Sequence, residues 1–158
     1  MIIAGLDPGL SGAVAILDGD GLLLNVFDLP TVQEAHGKGT RSRIAPALLQ
    51  DELIGDVRIG VAFIEHVASS PQMGVTSAFR FGEAFGATLA VLQCCGIRTE
   101  LVRPQVWKKA LGLNNEAEVS RARAIELWPN QSDLFKRKMD HNRAEAALIA
   151  EYGRRMSR

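Results

Sequence analysis

The chain of 158 residues contains only two cysteines, Cys94 and Cys95, and they are adjacent. Adjacent cysteines rarely bridge each other, so a disulfide framework is excluded and a reducing compartment is expected. No run of about 18 apolar residues is present, which excludes a transmembrane helix. No basic segment precedes the first apolar residues, so a secretory signal peptide is not expected. The expected location is therefore the cytoplasm, with no membrane partner.

The chain also lacks a net charge, with 18 basic and 18 acidic residues, but the two signs are unevenly distributed. Residues 98–158 carry 13 basic and 8 acidic residues, which leaves 5 basic and 10 acidic residues before them. A basic half points to nucleic acid, although solvated helix faces would produce the same imbalance. Internal repeats, low-complexity tracts and linkers are absent as well. The length therefore favours one domain over residues 1–158.

Apolar runs and turn residues predict the element order β-β-β-α-β-α-β-α-α-α. An antiparallel meander of strands at 2–6, 12–17 and 22–27 is followed by a predicted loop at 29–40. The later predictions are a helix at 42–54 capped by Ser42, a strand at 58–65, a helix at 75–95, a strand at 97–102, a short helix from Pro104, a helix at 116–127, a basic loop at 130–139 and a helix at 141–154. This order favours an α/β fold with a mixed five-stranded sheet and helices on both faces.

Four carboxylates occupy positions that packing does not explain. Asp7 and Glu65 each end an apolar run that is predicted to be a strand, and Asp140 and Glu145 open the last predicted helix. An ionised carboxylate beside a core is costly unless it is paired or bound to a metal. Four of them converging on one point would hold two divalent metal ions, an arrangement suited to phosphodiester cleavage. Asp140 and Glu145 do not share one helical face, so Asp140 is expected to act from the N-cap position.

Five motifs, in this order, resemble those of RuvC-type Holliday junction resolvases, in the phage and organellar branch of the ribonuclease H-like nuclease superfamily. They are IAGLDPGLSGA at 3–13, FIE at 63–65, SAFRFG at 77–82, VRPQVWK at 102–108 and KMDHNRAEAALIA at 138–150. The first motif also resembles the start of actin-like ATPases. The last motif is much more specific, and the five together extend over nearly the whole chain.

The resemblance implies a ribonuclease H-like fold and a homodimer that cuts four-way DNA junctions by paired symmetric nicks. It implies that Asp7, Glu65, Asp140 and Glu145 are the catalytic residues and bind Mg²⁺ or Mn²⁺, two ions per site. A bacterial host and a phage or prophage source are expected, with no nucleotide cofactor. Asn142 departs from the pattern, because some relatives carry an aspartate three residues before the final acid. An amide is a poorer Mg²⁺ ligand than a carboxylate, so either Asp140 fills this role, or the site is weakened, or the residue is engineered.

Basic residues and one loop near these motifs are the candidates for contact with branched DNA. Phosphate contacts are expected from six residues, which are Lys108, Lys109, Lys136, Arg137, Lys138 and Arg143. The loop after Glu65 and the start of the next helix are expected to face the junction centre through Ser69, Ser70, Gln72 and Phe79. His141 is an auxiliary candidate beside the metals or the scissile phosphate. Trp107 and Trp128 are expected to anchor the core or a loop.

Some alternatives remain open at this point. Gly82 and Gly86, in the long predicted helix, allow close helix approach either across a dimer interface or onto the chain's own sheet. An actin-like ATPase is disfavoured by the short chain and by the missing late glycine motif. A junction-binding protein with a lost metal site remains open. Another ribonuclease H-like nuclease, acting on branched DNA or on RNA–DNA hybrids, also remains open.

Overall fold

The computed structural model describes residues 1–55, 57–66, 68 and 72–157 of the chain. The strands are β1 Ile2–Asp7, β2 Ala13–Leu17, β3 Leu23–Asp28, β4 Thr31–His36, β5 Gly39–Ile44, β6 Ile59–Glu65 and β7 Arg98–Val102. The helices are α1 Pro46–Leu53, α2 Val75–Cys94, α3 Pro104–Ala110, α4 Ala117–Leu127 and α5 His141–Met156, with 3-10 turns at Pro129–Phe135 and Lys138–Asp140. None of the described helices is both long and apolar enough to cross a membrane.

A mixed sheet of five strands, in the order β3-β2-β1-β6-β7, forms the centre of the fold. The first three strands pair antiparallel as a meander. Strands β6 and β7 then run parallel to β1, because a helix connects each of them to the preceding strand. The predicted α/β architecture is therefore confirmed, and the strand boundaries lie within one residue of the predicted ones.

Helices cover both faces of this sheet, since side chains alternate between the faces along each strand. Ile3 of β1 and Phe63 of β6 point to a core that α3, α4 and α5 close, with Trp107, Trp128 and Phe135 at its side. Residues Ala4 and Leu6 of β1 point to the opposite core, which α1 and α2 cover. The prediction that both tryptophans are anchors is confirmed, because each is buried.

Helix α5 lies unusually close to β1. A Cβ atom added to Gly5 would lie 2.2 Å from the carbonyl oxygen of Ala146 and 2.2 Å from the backbone nitrogen of Ala150. The facing side of α5 is rich in alanine, and Ala146, Ala147 and Ala150 are fully buried. Small residues on both partners therefore let the helix backbone rest against the strand backbone.

Residues 29–44 differ from the prediction, because they form a β-hairpin and not a loop followed by a helix. Strands β4 and β5 pair antiparallel around a turn at Gly37 and Lys38. Arg43 donates two hydrogen bonds to Glu34 across the hairpin, at 3.0 and 2.9 Å, and binds Glu83 of α2 at 2.9 Å. Ser42 lies in β5, and α1 begins only at Pro46. The predicted basic loop at 130–139 is likewise wrong, since 3-10 turns occupy most of it.

We expect Gly5→Ala to destabilise the protein by about 3 kcal/mol or more, because the added methyl group meets backbone atoms that cannot rotate away. Urea unfolding monitored by circular dichroism would measure the loss. Gly39→Ala is the matched control, because an added Cβ there meets nothing within 4 Å in the described part of the chain. The control is expected to change stability by less than about 0.5 kcal/mol. Equal effects of the two substitutions would contradict the proposed backbone contact.

Candidate active site

Three acidic residues lie near one another at one end of the sheet. Asp7 ends β1 and Glu65 ends β6, and these neighbouring strands run parallel with Leu6 beside Ile64. Parallel neighbours present their carboxyl ends at the same edge, so the two acids emerge together. Glu145 comes from α5, one residue before the Ala146 carbonyl that rests on Gly5. The α5–β1 contact therefore places the third acid beside the first two.

The negative charges of this cluster oppose one another. Burial, and then the charges of Glu145 and Glu65, raise the pKa of the Asp7 carboxyl well above its ordinary value. Burial also raises the pKa of Glu65, with a further contribution from Glu145. Both shifts are smaller than they would be without Lys108, whose positive charge lowers each pKa. The cluster therefore carries more negative charge than its protein surroundings compensate.

Two helices hold the carboxylates in place. The Trp107 indole Nε1–H donates to Glu65 Oε1 at 2.8 Å, from a fully buried ring in α3. Lys108 Nζ donates to Glu145 Oε1 at 2.8 Å, and Ser120 Oγ of α4 donates to the same oxygen at 3.1 Å. Sequence reasoning missed the roles of Trp107 and Ser120 here. The only available signal was that a buried indole N–H needs an acceptor, which does not identify the acceptor.

Asp140 lies apart from the other three acids in its interactions. It is buried and occupies the N-cap position of α5, but its carboxylate turns back to Arg137 and makes no cap hydrogen bond to α5. The Arg137 backbone N–H donates to Asp140 Oδ2 at 2.8 Å, and Arg137 Nη2 donates to Oδ1 at 2.7 Å. The side-chain bond from Arg137 is the main cause that lowers the pKa of Asp140. None of the other three acids contributes to that shift.

The two residues after Asp140 make local contacts. Nδ1 of His141 lies 3.2 Å from the Lys138 carbonyl oxygen. The Asn142 amide donates to the backbone oxygen of Ser11, in the loop that follows β1. Asn142 therefore links α5 to the loop beside Asp7.

The basic candidates for DNA contact divide into paired and exposed residues. Arg143 forms a two-bond ion pair with Asp28, at 2.6 and 2.7 Å. Arg137 and Lys136 are exposed but pair with Asp140 and Asp133. Lys109 and Lys138 are exposed and form no ion pair among the described residues. Lys108 lies within the acidic cluster itself.

Of the loop candidates, Gln72 lies three residues before α2 and Phe79 lies in its second turn. Gln72 is exposed, and Phe79 exposes 70% of its surface, which is unusual for an aromatic residue. Ser69 and Ser70 lie outside the described residues. Phe81, two positions further, is half-buried and lies near the loop after Asp7, since a Cβ added to Gly9 would lie 3.4 Å from its ring.

The donor set suits a hard cation, although it does not enclose one as it stands. Within the described residues, no three acidic, histidine or cysteine side chains are grouped closely enough to hold a metal ion. Lys108 and Ser120 occupy an oxygen of Glu145, and Trp107 occupies one of Glu65. The available donors are nonetheless carboxylate oxygens with excess negative charge, which is the ligand chemistry that Mg²⁺ and Mn²⁺ favour. The residues fit such an ion if the ion replaces Lys108 as the partner of the Glu145 carboxylate.

The same arrangement of strands and helices occurs in solved structures. The chain is similar to the Thermus thermophilus RuvC structure, with a TM-score of 0.59 and 17% sequence identity over 99% of this chain and 97% of that one. It is equally similar to T. thermophilus RuvC in complex with a Holliday junction substrate, over 99% of this chain and 96% of that one. The chain has a RuvC-like fold.

This RuvC-like fold confirms the architecture that the sequence motifs implied. No protein-family model matches the chain, and neither does any curated protein. At 17% identity the likeness concerns the fold. A shared fold does not fix the chemistry of the site, which depends on the residues of this chain.

We expect Asp7→Asn and Asp140→Asn to change stability in opposite directions at pH 7. Folding raises the pKa of the Asp7 carboxyl from its ordinary value of 3.8, so the ionised carboxylate destabilises the fold above pH 3.8. Replacing this carboxylate with a neutral amide should therefore raise the melting temperature. Folding lowers the pKa of Asp140, so its carboxylate stabilises the fold above that value and loses this effect as the pH falls. Its removal should cost about 1–3 kcal/mol.

Thermal unfolding between pH 3 and 8 would measure both effects, with the exposed Asp51→Asn as the control. Added Mg²⁺ or Mn²⁺ should raise the melting temperature of the unaltered protein and leave that of Asp7→Asn unchanged. A loss of stability in Asp7→Asn, or an equal metal response in both proteins, would count against the interpretation of the cluster.

Proposed function

We propose that this protein is a metal-dependent endonuclease that cuts branched DNA, with four-way junctions as its preferred substrate. The observation that carries the proposal is the convergence of Asp7, Glu65 and Glu145 at one sheet edge with uncompensated negative charge. The likeness to a RuvC structure in complex with a Holliday junction supports the choice of substrate. We propose further that the protein cleaves these junctions by paired symmetric nicks.

Asp7, Glu65 and Glu145 would hold the Mg²⁺ or Mn²⁺ ions, two per site. Such ions supply Lewis acidity to the displacement at phosphorus. Asp7, at the end of a central strand, would be the rigid ligand that faces both of its acidic neighbours. Asp140 would join them only by exchanging Arg137 for an ion. Released from Glu145, the ammonium group of Lys108 would be free to bind the scissile phosphate.

The remaining basic residues would position the DNA arms. Lys109 and Lys138 offer exposed charges for phosphate contact. Arg137, Lys136 and Arg143 would exchange a carboxylate partner for a phosphate. His141 stays an auxiliary candidate at the scissile phosphate. The residues expected at the junction centre are Gln72 and Phe79, together with Ser69 and Ser70.

A homodimer is part of the proposal, because symmetric nicks require two active sites on one junction. Helix α2 offers a face of small residues for it, with Gly82, Gly86 and Ala90 all exposed. A Cβ on Gly82 or Gly86 meets nothing within 4 Å in the described part of the chain. These glycines therefore do not serve close packing onto the chain's own sheet, and a second copy of the helix would fit against them.

Sedimentation velocity at micromolar concentration should detect a dimer of the unaltered protein. Gly86→Gln should shift it to the monomer without unfolding it, because the new side chain projects from an open helix face. Asn130→Arg, on an exposed turn on the opposite side of the sheet from α2, should leave the dimer intact. A monomer in the unaltered protein would overturn this part of the proposal.

The activity test uses an immobile four-way junction with Mg²⁺ or Mn²⁺, beside a linear duplex and an RNA–DNA hybrid. Paired nicks on the junction alone are expected. Asp7→Asn should reduce the cleavage rate at least about a hundredfold. Loss of a residue that only hydrogen-bonds to a metal ligand already lowers metal affinity or activity 10- to 100-fold. Asp51→Asn should leave the rate unchanged.

The other outcomes distinguish the remaining functions. Junction binding without nicks in either metal would favour a non-catalytic junction-binding protein. Asn142→Asp, which adds a carboxylate beside the loop after β1, would then be the next variant. Preferential cleavage of the hybrid would favour a different nuclease with this fold.

A further inference from the structure

We propose that the β4–β5 hairpin is a second DNA-binding element, which contacts the phosphates of one duplex arm beside the cut. The inference rests on the proposed function. It adds a surface that lies outside the acidic cluster and outside the basic residues already assigned to DNA. The residues that carry it are Lys38 at the tip of the hairpin, and Arg41, Arg43 and Glu83 nearer its base.

The hairpin contributes little to the packing of the protein. Strands β4 and β5 form a two-stranded sheet that is separate from the central one. Of residues 31–44, only Ile44 is buried. An isolated two-stranded hairpin is at best marginally stable in water, and this one lacks an apolar face. A segment of this length that is exposed and serves no core is suited to binding a partner.

The hairpin leaves the sheet at the edge that carries the acids. Ala13 of β2 pairs with Asp7 on one side and with Asp28, the last residue of β3, on the other. Strand β4 begins three residues later. The backbone N–H of Ala45, directly after β5, donates to the Pro30 carbonyl at 2.8 Å and closes the base of the hairpin. The hairpin therefore begins and ends close to this edge.

One carboxylate of α2 holds the hairpin against the rest of the protein. Arg43 Nε binds Glu83 Oε1 at 2.9 Å, and Arg41 Nη2 lies 3.9 Å from the same oxygen. Arg43 also binds Glu34 across the hairpin. The Arg41 and Glu83 side chains expose only 24% and 26% of their surface, so solvent and salt screen this cluster less than a fully exposed pair. The ion pairs therefore give the hairpin a defined direction along α2.

The contacts along α2 show that the hairpin points beyond the edge that carries the acids. The start of α1 shares a groove with Ala87, and Arg43 binds Glu83, one turn nearer the start of α2. Phe81, nearer still to that start, lies at the level of Gly9 in the loop after β1. Followed from α1 back into β5, the chain thus approaches this edge. The tip of the hairpin continues past it, on the side where DNA bound at the acids would lie.

The tip is basic and open to solvent. Gly37 has a φ of +61°, which suits a hairpin turn with glycine at its first central position, and Lys38 takes the second position. A Cβ added to Gly37 or Gly39 meets nothing within 4 Å in the described part of the chain. Lys38 is exposed and forms no ion pair with a described residue. Residues 31–44 carry three lysine or arginine side chains and one glutamate. The Lys38 ammonium group is therefore available for a phosphate.

The length of the hairpin predicts which part of the DNA it contacts. The five residues from Arg43 to Lys38 span roughly 16 Å in a strand, which corresponds to about five base pairs of duplex at about 3.4 Å each. Lys38 would therefore meet an arm within about five base pairs of the cut. A lysine ammonium group is a point charge that does not match the edge of a particular base. The contact is thus expected to raise affinity for the arm without sequence preference.

The test compares variants of the tip by the salt dependence of binding. Binding of an immobile four-way junction is measured by fluorescence anisotropy with Ca²⁺ in place of Mg²⁺, between about 50 and 200 mM salt. Hydroxyl-radical footprinting locates the protected nucleotides. Lys38→Gln removes the charge, and Lys38→Arg keeps it. Replacement of residues 35–40 by Asn-Gly removes the tip and joins Glu34 to Arg41, which pair across the hairpin, through a two-residue turn. Arg58→Gln, exposed at the opposite edge of the sheet, is the control for a lost positive charge.

Lys38→Gln should weaken junction binding about threefold to tenfold and lower the slope of log K against log salt by about one, because one phosphate contact is lost. The shortened hairpin should reduce both quantities at least as much. It should also abolish the protection of one arm within about five base pairs of the cut. Lys38→Arg should keep the affinity and the slope of the unaltered protein. Arg58→Gln should change neither.

An unchanged salt slope in both Lys38→Gln and the shortened hairpin would overturn the arm contact. An equal loss in Arg58→Gln would also overturn it, because the effect would then follow from net charge alone. In either case, junction-selective nicking by the unaltered protein in Mg²⁺ would leave the proposed function standing. If the unaltered protein neither binds nor nicks the junction, the proposed function is overturned, and the arm contact with it.

Discussion

The contact between α5 and β1 is the constraint on which the rest of the structure depends. Gly5 and the alanines of α5 let the two backbones meet with no side chain between them. The same contact closes one of the two cores and brings Glu145 beside Asp7. The same backbone contact therefore determines both the packing of this core and the positions of the acids. A change that moves the helix outward would open the core and separate the acids together.

The acids of this edge differ in what they contribute to stability. Burial and like charge oppose ionisation of Asp7 and Glu65, so these residues weaken the fold at neutral pH. Asp140, paired with Arg137, has the opposite effect. Hydrogen bonds offset part of this destabilisation. Trp107 donates to Glu65, and Lys108 and Ser120 donate to Glu145. The concentrated negative charge therefore lowers the stability of the folded state, a pattern common at functional sites.

The sequence predicted the central sheet and the helices that cover it, because buried strands and turns carry clear apolar and glycine signals. It missed the β4–β5 hairpin for a physical reason. That hairpin is stabilised by Arg43, which pairs with Glu34 across the hairpin and with Glu83 on a distant helix, so its strands show no apolar face. Hydrophobic periodicity cannot reveal strands that are held by ion pairs.

The site was predictable in part for a similar reason. Acids at the ends of apolar runs indicated Asp7 and Glu65, and a helix motif indicated Glu145. The direction of the Asp140 carboxylate depends on the 3-10 turn that ends at this residue, which has no strong sequence signature. Contacts such as Ser120 with Glu145 join residues 25 positions apart and exist only once α4 and α5 pack together.

The position of α5 in the chain has a consequence for synthesis on the ribosome. The site draws on residues 7, 65 and 145, and the helix that supplies the last of them is the final element of the described chain. When only β1 through β7 have emerged from the ribosome, one face of the sheet is still uncovered. The acids cannot assemble until α5 emerges and docks. Order of translation thus keeps the unfinished chain from carrying a complete site, and the step that completes the core also completes the cluster.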